Sequence, residues 1–291
     1  MINIEQIINN INIDENVIKL AEELEKEYLN YVCLLESYDQ KFVKKFLNTY
    51  KKQENIASQE MEGVSNLEAL FVEDLEAKST ALDYVINILK RKEEITQEEF
   101  KKIHGILMKN DQREYIKKGE FRNKSAEVGS FVDEKPIIYY VAPNYEYVPE
   151  LIKGVLDYCN NDDDRGEINH PFIKAAIIHA LVLHVQPFQD GNSRMGRLLH
   201  HSKLWVECNK RWNINMYQPI LFFSNNYYFD RGGYRGKILN IDRNLSSSAA
   251  WNKWFNYNLV IMSEVFSNII DAVQELSNVY SRFNECSEKT K

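Results

Sequence analysis

The sequence predicts a mainly α-helical fold that carries one β-hairpin. Its 291 residues include only 11 glycines and 6 prolines, the residue types that interrupt helices most readily. Apolar residues recur at helical spacing through most of the chain. A hydrophobic fraction of 44% is typical of a folded globular protein. Only between residues 128 and 141 does the pattern change to that of strands.

Composition and charge restrict the kind of partner. The net charge of −7 and the pI of about 5.5 argue against nucleic acid as the main partner. No apolar run reaches the ~18 residues of a membrane span, so we expect no membrane partner. The four cysteines form no Cys-x-x-Cys pair, which favours reduced thiols in a cytoplasmic protein over a zinc site. The oligomeric state stays open.

Helical spacing and capping residues predict the helices in order. Thr96, followed three residues later by Glu99, has the pattern of a capping box and predicts a helix start. We divide the chain into an N-terminal helical region, 1–55, and a core, 56–291, whose tail from Glu285 should be loose. The predicted helices cover residues 3–12, 14–36, 41–53, 66–91, 96–109, 148–160, 173–185, 195–205 and 250–282.

The hairpin is predicted by β-forming residues on both sides of a turn. The turn sequence is Asp133-Glu134-Lys135-Pro136, and valine, isoleucine, phenylalanine and tyrosine flank it within residues 128–141. Such a hairpin would have one or both edges open to another strand.

The candidate site is the turn between an apolar helix, 175–185, and the next helical segment. Gly191 permits an unusual backbone conformation, and the N-terminus of the following helix attracts anions. Arg194 and Arg197 are three residues apart and share one face of that helix. The carboxylate of Asp190 is a hard oxygen ligand suited to Mg²⁺. Together these residues predict a site for a metal-bound polyphosphate.

This stretch resembles the signature of the Fic family, His-Pro-Phe-x-Asp-Gly-Asn-Gly-Arg-x-x-Arg. Two positions depart from it: Ser193 stands where glycine is usual, and Gln186 stands where the family has histidine. The resemblance covers roughly residues 56–260 and implies a Fic-type helical core with a β-hairpin flap. The matching residues are Pro187, Phe188, Asp190, Gly191, Asn192, Arg194 and Arg197.

The resemblance implies a protein adenylyltransferase, which moves AMP from ATP to a Tyr, Ser or Thr hydroxyl. Asp190 would hold Mg²⁺, and Gly191, Asn192 and Ser193 would line the anion hole. Arg194 would contact the phosphates and Arg197 the γ-phosphate, while Phe188 anchors the loop by burial. The flap, 128–141, would hold a target protein by strand addition. The family segment that borders the adenine resembles the region around Tyr227 and Tyr234.

Gln186 bears most directly on activity. In the family, the histidine at this position is the general base that takes the proton from the attacking hydroxyl. An amide forms hydrogen bonds but does not accept a proton near neutral pH. General-base catalysis is typically worth ~10²–10⁴ in rate, so we expect an inactive or weakened enzyme.

A second motif resembles the family's inhibitory segment, Ser/Thr-x-x-x-Glu-Gly/Asn. It is carried by Ser58, Glu62 and Gly63, and Gly63 also suits a helix C-cap. In the family this glutamate pairs with the second arginine of the signature, here Arg197, and blocks the γ-phosphate. The resemblance therefore implies autoinhibition by Glu62.

Other functions remain open. Some proteins of this fold remove AMP, with the inhibitory glutamate orienting water, and others transfer a different phosphate-containing group. A non-catalytic ATP-binding regulator would be consistent with Gln186. If transfer occurs, the chain itself is one candidate acceptor.

Overall fold

The computed structural model describes residues 3–61, 69–91, 93–132, 135–161, 166–214 and 223–288. These residues form eleven α-helices and one two-stranded antiparallel sheet. In chain order the elements are α1 (Ile4–Asn9), α2 (Glu15–Ser37), α3 (Gln40–Glu60), α4 (Ala69–Lys90), α5 (Gln97–Leu107), β1 (Glu127–Val132), β2 (Lys135–Val141), α6 (Val148–Asn160), α7 (Pro171–Val185), α8 (Asn192–Arg211), α9 (Phe223–Phe229), α10 (Arg231–Arg243) and α11 (Ser248–Glu288).

Helix α7 lies at the centre of the core. It begins with Pro171, which suits a first helical position because its missing N–H would have no partner there. Every residue of the helix is buried, as its mostly apolar sequence requires. Around it pack α6, α8, α10 and α11. The predicted buried helix is confirmed, and its end delivers the chain to the candidate site.

The N-terminal helices join the same core. Tyr28 of α2 packs against Trp212 and Phe266, with ring centroids 5.1 and 5.6 Å apart. The backbone N–H of Asp14 donates to the side-chain oxygen of Asn252 at 2.9 Å. The predicted division after residue 55 falls inside α3, so it coincides with no break in secondary structure.

The predicted hairpin is confirmed. Strands β1 and β2 pair antiparallel, with an irregularity between Val128 and Gly129. A Cβ atom at Gly129 would lie 2.2 Å from the carbonyl oxygen of Ile137, so only glycine fits at this bulge. Residues 133 and 134 of the expected turn lie outside the described residues.

Several helix ends test the sequence analysis. The predicted helix start is confirmed, because the Glu99 N–H donates to the Thr96 hydroxyl at 3.2 Å. The Glu99 carboxylate accepts from the Tyr84 hydroxyl, so the structure shows only the N-cap half of a capping box. Helix α3 extends past the expected end at residue 53 and includes Ser58. Helix α11 continues to Glu288, past the expected end at residue 282, so the segment expected to be loose begins within this helix. None of the described helices is long and apolar enough to span a membrane.

Candidate active site

The loop between α7 and α8 is closed by its own side chains. The Asn192 amide accepts a hydrogen bond from the Phe188 N–H and donates one to the Phe188 carbonyl, both at 2.9 Å. The ring of Phe188 is fully buried, as expected for a loop anchor. Asn192 was predicted to line an anion hole, and its side chain instead holds the loop in shape, which leaves its backbone N–H for that role.

His104 of α5 packs against this loop and binds its backbone. Its ring stacks on Phe188 with centroids 3.7 Å apart. Its Nδ1 accepts from the Gly119 N–H at 2.9 Å, so the ring proton of the neutral form is on Nε2, which donates to the Asp190 carbonyl at 3.0 Å. Burial lowers the pKa of His104 to about 4. This histidine is therefore neutral and positions the loop; sequence reasoning missed its contact with Asp190.

Gly191 has the conformation that the sequence predicted. Its φ is +78°, and a Cβ atom would lie 2.7 Å from the Met108 sulfur and 3.2 Å from the His104 Nε2. Gly191 is also the N-cap of α8, and no side chain caps this end of the helix. The first N–H groups of a helix have no partner within it. An anionic ligand binds those N–H groups only where no side chain blocks its approach.

The two arginines of α8 lie in different surroundings. Arg197 is buried and donates through Nε to the Ser58 hydroxyl at 3.0 Å and through Nη2 to the Ser58 carbonyl at 2.9 Å. Arg194 is also buried, and its Nε has no hydrogen-bond partner among the described residues. A buried donor without a partner is costly. Arg194 is therefore the better-disposed of the two to receive a phosphate oxygen.

The structure brings part of the expected inhibitory segment to the site. Ser58, in the last turn of α3, contacts the guanidinium of Arg197 directly. Glu62 and Gly63 lie outside the described residues, so the pair of Glu62 with Arg197 stays a prediction. Through Ser58, the last turn of α3 contacts Arg197, the arginine that the motif predicts.

Asp190 is the only predicted metal ligand, and its carboxylate is already partnered. One oxygen accepts from the Gly191 N–H at 2.5 Å, and the other lies 2.6 Å from Nη2 of Arg113. Its side chain is 32% exposed. Mg²⁺ usually binds one or two protein carboxylates and completes its shell with phosphate and water. The residues fit that chemistry once Arg113 has moved; sequence reasoning did not identify Arg113.

Gln186 ends α7 in the left-handed conformation, with φ of +46° and ψ of 60°. Its side-chain amide donates to the Leu183 carbonyl at 2.7 Å, and its own carbonyl accepts from Arg122 Nε at 2.7 Å. Arg122 also binds the carbonyls of Lys124, at 2.8 Å, and Pro143. This guanidinium therefore joins the end of α7 to both ends of the hairpin.

A second contact fixes the hairpin near the site. The Tyr140 hydroxyl lies 2.8 Å from the His184 carbonyl and 2.9 Å from its Nδ1. Asp242 of α10 lies 3.2 Å from the same Nδ1. His184 is buried and bound by Tyr140 and Asp242, which favours a structural role and argues against a role as a replacement base.

Tyr227 and Tyr234 lie in the aromatic core. Both are buried, and their ring centroids are 4.6 Å apart. The Tyr227 hydroxyl donates to the Asn258 side chain at 2.6 Å, and the Tyr234 hydroxyl lies 3.0 Å from His179 Nε2. Neither ring offers an exposed face to a nucleotide without movement of its neighbours. Ser193, by contrast, is half-buried at the start of α8.

Known proteins match the part of the chain that carries this site. Residues 94–204 match the Fic/DOC family. Protein adenylyltransferase fic-1 of Caenorhabditis elegans is 31% identical over 110 residues, which are 38% of this chain and 19% of that protein. Protein adenylyltransferase Fic of Drosophila willistoni is 29% identical over 124 residues, 43% of this chain and 22% of that protein. The matched segment thus spans about a fifth of these curated relatives.

Solved structures have the same fold at lower identity. A Fic-domain-containing signalling protein from Bacteroides thetaiotaomicron superposes with a TM-score of 0.67 and 17% identity, over 88% of this chain and 97% of that one. Residues 134–508 of C. elegans Fic-1 superpose with a TM-score of 0.59 and 17% identity, over 89% of this chain and 73% of that one. From α5 through the hairpin and the loop into α8, this part of the chain is therefore similar to the Fic/DOC family, and the described fold is that of solved Fic-domain structures.

Proposed function

We propose that this chain binds Mg²⁺-ATP at the loop 186–197 and is a protein adenylyltransferase whose transfer step is weak as the sequence stands. The observation that supports this most is the combination at one helix end. No side chain caps the N-terminus of α8 at Gly191, the buried Nε of Arg194 has no partner among the described residues, and Asp190 directly precedes the helix N-cap. The adenylyltransferase names of the relatives agree with this proposal.

The phosphates of ATP fit the start of α8. Backbone N–H groups at a helix N-terminus and the partial positive charge of the helix stabilise phosphate oxygens. Arg194 would satisfy its buried Nε by binding a phosphate oxygen, and Arg197 would bind the γ-phosphate if Ser58 releases it. Mg²⁺ would neutralise charge on the polyphosphate, with Asp190 as its protein ligand.

The target would approach from the hairpin. Ile138 and Val141 of β2 are exposed, with 49% and 58% of their surface accessible. A two-stranded sheet has open edges to which an extended peptide can add as a further strand. The peptide hydroxyl would then meet Gln186, whose amide oxygen accepts a hydrogen bond but does not retain the proton. We propose that this missing proton acceptor limits transfer.

A second candidate is a non-catalytic ATP-binding regulator. The hydrogen bond from the Gln186 amide to the Leu183 carbonyl favours it, because the side chain then belongs to the helix end. The two candidates differ in one result. Incubation with ATP labelled at the α-phosphate leaves label on protein only if transfer occurs.

Calorimetric titration with ATP tests the common part of both candidates. We expect the full chain to bind ATP more tightly with Mg²⁺ than without it, because the metal joins Asp190 to the phosphates. The variant D190A should lose that difference while keeping its helical circular dichroism. As a control, D157A removes an exposed carboxylate that pairs with Lys153 on α6 and should behave like the unmodified chain. Equal ATP affinity with and without Mg²⁺ would contradict the proposal.

A further inference from the structure

The carboxylate expected to hold Mg²⁺ is bound to a cation of the protein itself. Nη2 of Arg113 lies 2.6 Å from an oxygen of Asp190, in the segment between α5 and β1. The other Asp190 oxygen accepts from the Gly191 N–H. A metal ion that approaches Asp190 would therefore find the Arg113 guanidinium already bound to the carboxylate oxygen that does not accept from the Gly191 N–H.

The Arg113–Asp190 contact can break while Arg113 stays bound to Asp111. Arg113 also binds Asp111, through Nε at 3.0 Å and through Nη2 at 2.6 Å. Asp111 is largely covered, with 11% of its side chain exposed, whereas Arg113 is 44% and Asp190 32% exposed. Exposed ion pairs contribute little stability, so the guanidinium can leave Asp190 and keep its two bonds to Asp111.

The two cations exclude each other at this oxygen. Mg²⁺ binds carboxylate oxygens at about 2.0–2.1 Å in near-octahedral geometry, which leaves no room for a guanidinium N–H on the same lone pairs. The charges of Mg²⁺ and Arg113 would also repel each other over a few ångströms. Metal binding and the Arg113–Asp190 contact must then compete.

We infer that Arg113 is an exchangeable counter-cation for Asp190, which occupies the carboxylate in the absence of nucleotide and yields it to Mg²⁺ when ATP binds. This inference rests on the proposed function, since it assigns the metal to Asp190. Arg113 acts by positioning and protecting the carboxylate; it takes no part in bond making. Because Mg²⁺ must displace Arg113 from Asp190, a higher Mg²⁺ concentration is needed before Mg²⁺ tightens ATP binding.

The test measures ATP affinity by calorimetry across a Mg²⁺ series at constant ionic strength, which fixes the screening of charges. In R113Q the Mg²⁺ concentration at the midpoint should fall about two- to fivefold, the range for losing one partly exposed competing ion pair. The matched control is K117Q. It removes a positive charge from the same segment, where Lys117 pairs with Glu120 at 3.5 Å, and its midpoint should not change.

The outcomes separate this inference from the proposed function. A midpoint in R113Q equal to or above that of the unmodified chain would overturn the inference, as would an equal fall in K117Q. Absence of ATP binding by the unmodified chain would overturn the proposed function and the inference together. If R113Q does not fold, R113K replaces it: lysine lacks the planar fork that spans Asp111 and Asp190, and its midpoint should also fall.

Discussion

Two residues should limit transfer by this chain, Gln186 and Glu62. Gln186 lacks a proton-accepting nitrogen, which lowers the chemical step. Glu62, if it pairs with Arg197, keeps the γ-phosphate out of its place, so that the α-phosphate is not aligned for attack. On the proposed function, either defect alone should hold activity near background. We therefore predict that Q186H and E62G each recover little transfer, and that the double variant labels protein strongly.

The measurement is transfer of α-phosphate label from ATP to protein for the four chains. The gain in the double variant should exceed the product of the single gains, because residues that act as a unit are not additive. Strong labelling by the unmodified chain would refute the role given to Gln186. A double variant no better than Q186H alone would refute the role given to Glu62.

At the scale of single residues, the local sequence predicted the loop between α7 and α8 but not the residues that hold it in place, Arg113 and His104. Gly191 was predicted from local sequence because its left-handed backbone and the turn around it depend on neighbouring residues. Arg113 and His104 contact Asp190 only after α5 and the following segment have packed on the loop. No local pattern encodes such a contact, and an arginine two residues after an aspartate, as in Asp111-x-Arg113, is equally typical of an ordinary surface ion pair.

Among the elements, the hairpin should be the most open to exchange. Strand β2 shows exposed side chains along its length, and the outward N–H groups of both strands have no partner strand among the described residues. Helix α7 is buried throughout. We predict by hydrogen exchange that amides of 127–141 lose protection much faster than those of 173–185. Equal protection would indicate that the hairpin is purely structural.

Helix and strand positions followed from the sequence because their signals are local. Thr96 and Glu99 set the start of α5 within one turn, and the apolar run of α7 needed no partner to be recognised. The end of α11 was harder to predict. Its last turns continue past Arg282 with no glycine or proline to mark an end, so the helix end was predicted too early.

For the whole molecule, buried histidines should make stability depend on acid. Burial lowers the pKa of five of the six histidines: His104 and His170 to about 4, and His179, His200 and His201 well below 6.5. Below about pH 6.5 the unfolded chain therefore binds more protons than the folded chain, so the free energy of unfolding decreases as the pH is lowered. Burial raises the pKa of Glu54 and Asp242, which acts in the opposite direction.

We predict a lower thermal unfolding midpoint at pH 5 than at pH 7. Each histidine whose pKa is near 4 contributes up to about 2 kcal/mol of this loss, and the histidines outnumber the two opposing carboxyls. Differential scanning fluorimetry at constant ionic strength measures the midpoint. H170Q should lessen the difference, because it removes one histidine that the fold keeps uncharged. A midpoint that is equal or higher at pH 5 would contradict the prediction.

The contacts between the segment after α1 and the start of α11 have a consequence for synthesis. Asn12 and Asp14 bond to Ser248 and Asn252 across 236 and 238 positions of sequence, and the Tyr31 ring stacks on Phe266 at 5.4 Å. At a ribosomal rate of about 5–20 residues per second, α2 is made roughly 10 to 50 s before the helix that covers it. During that interval the rings of Tyr28 and Tyr31 lack their native partner Phe266. The nascent chain should therefore depend on holding chaperones until α11 has left the exit tunnel.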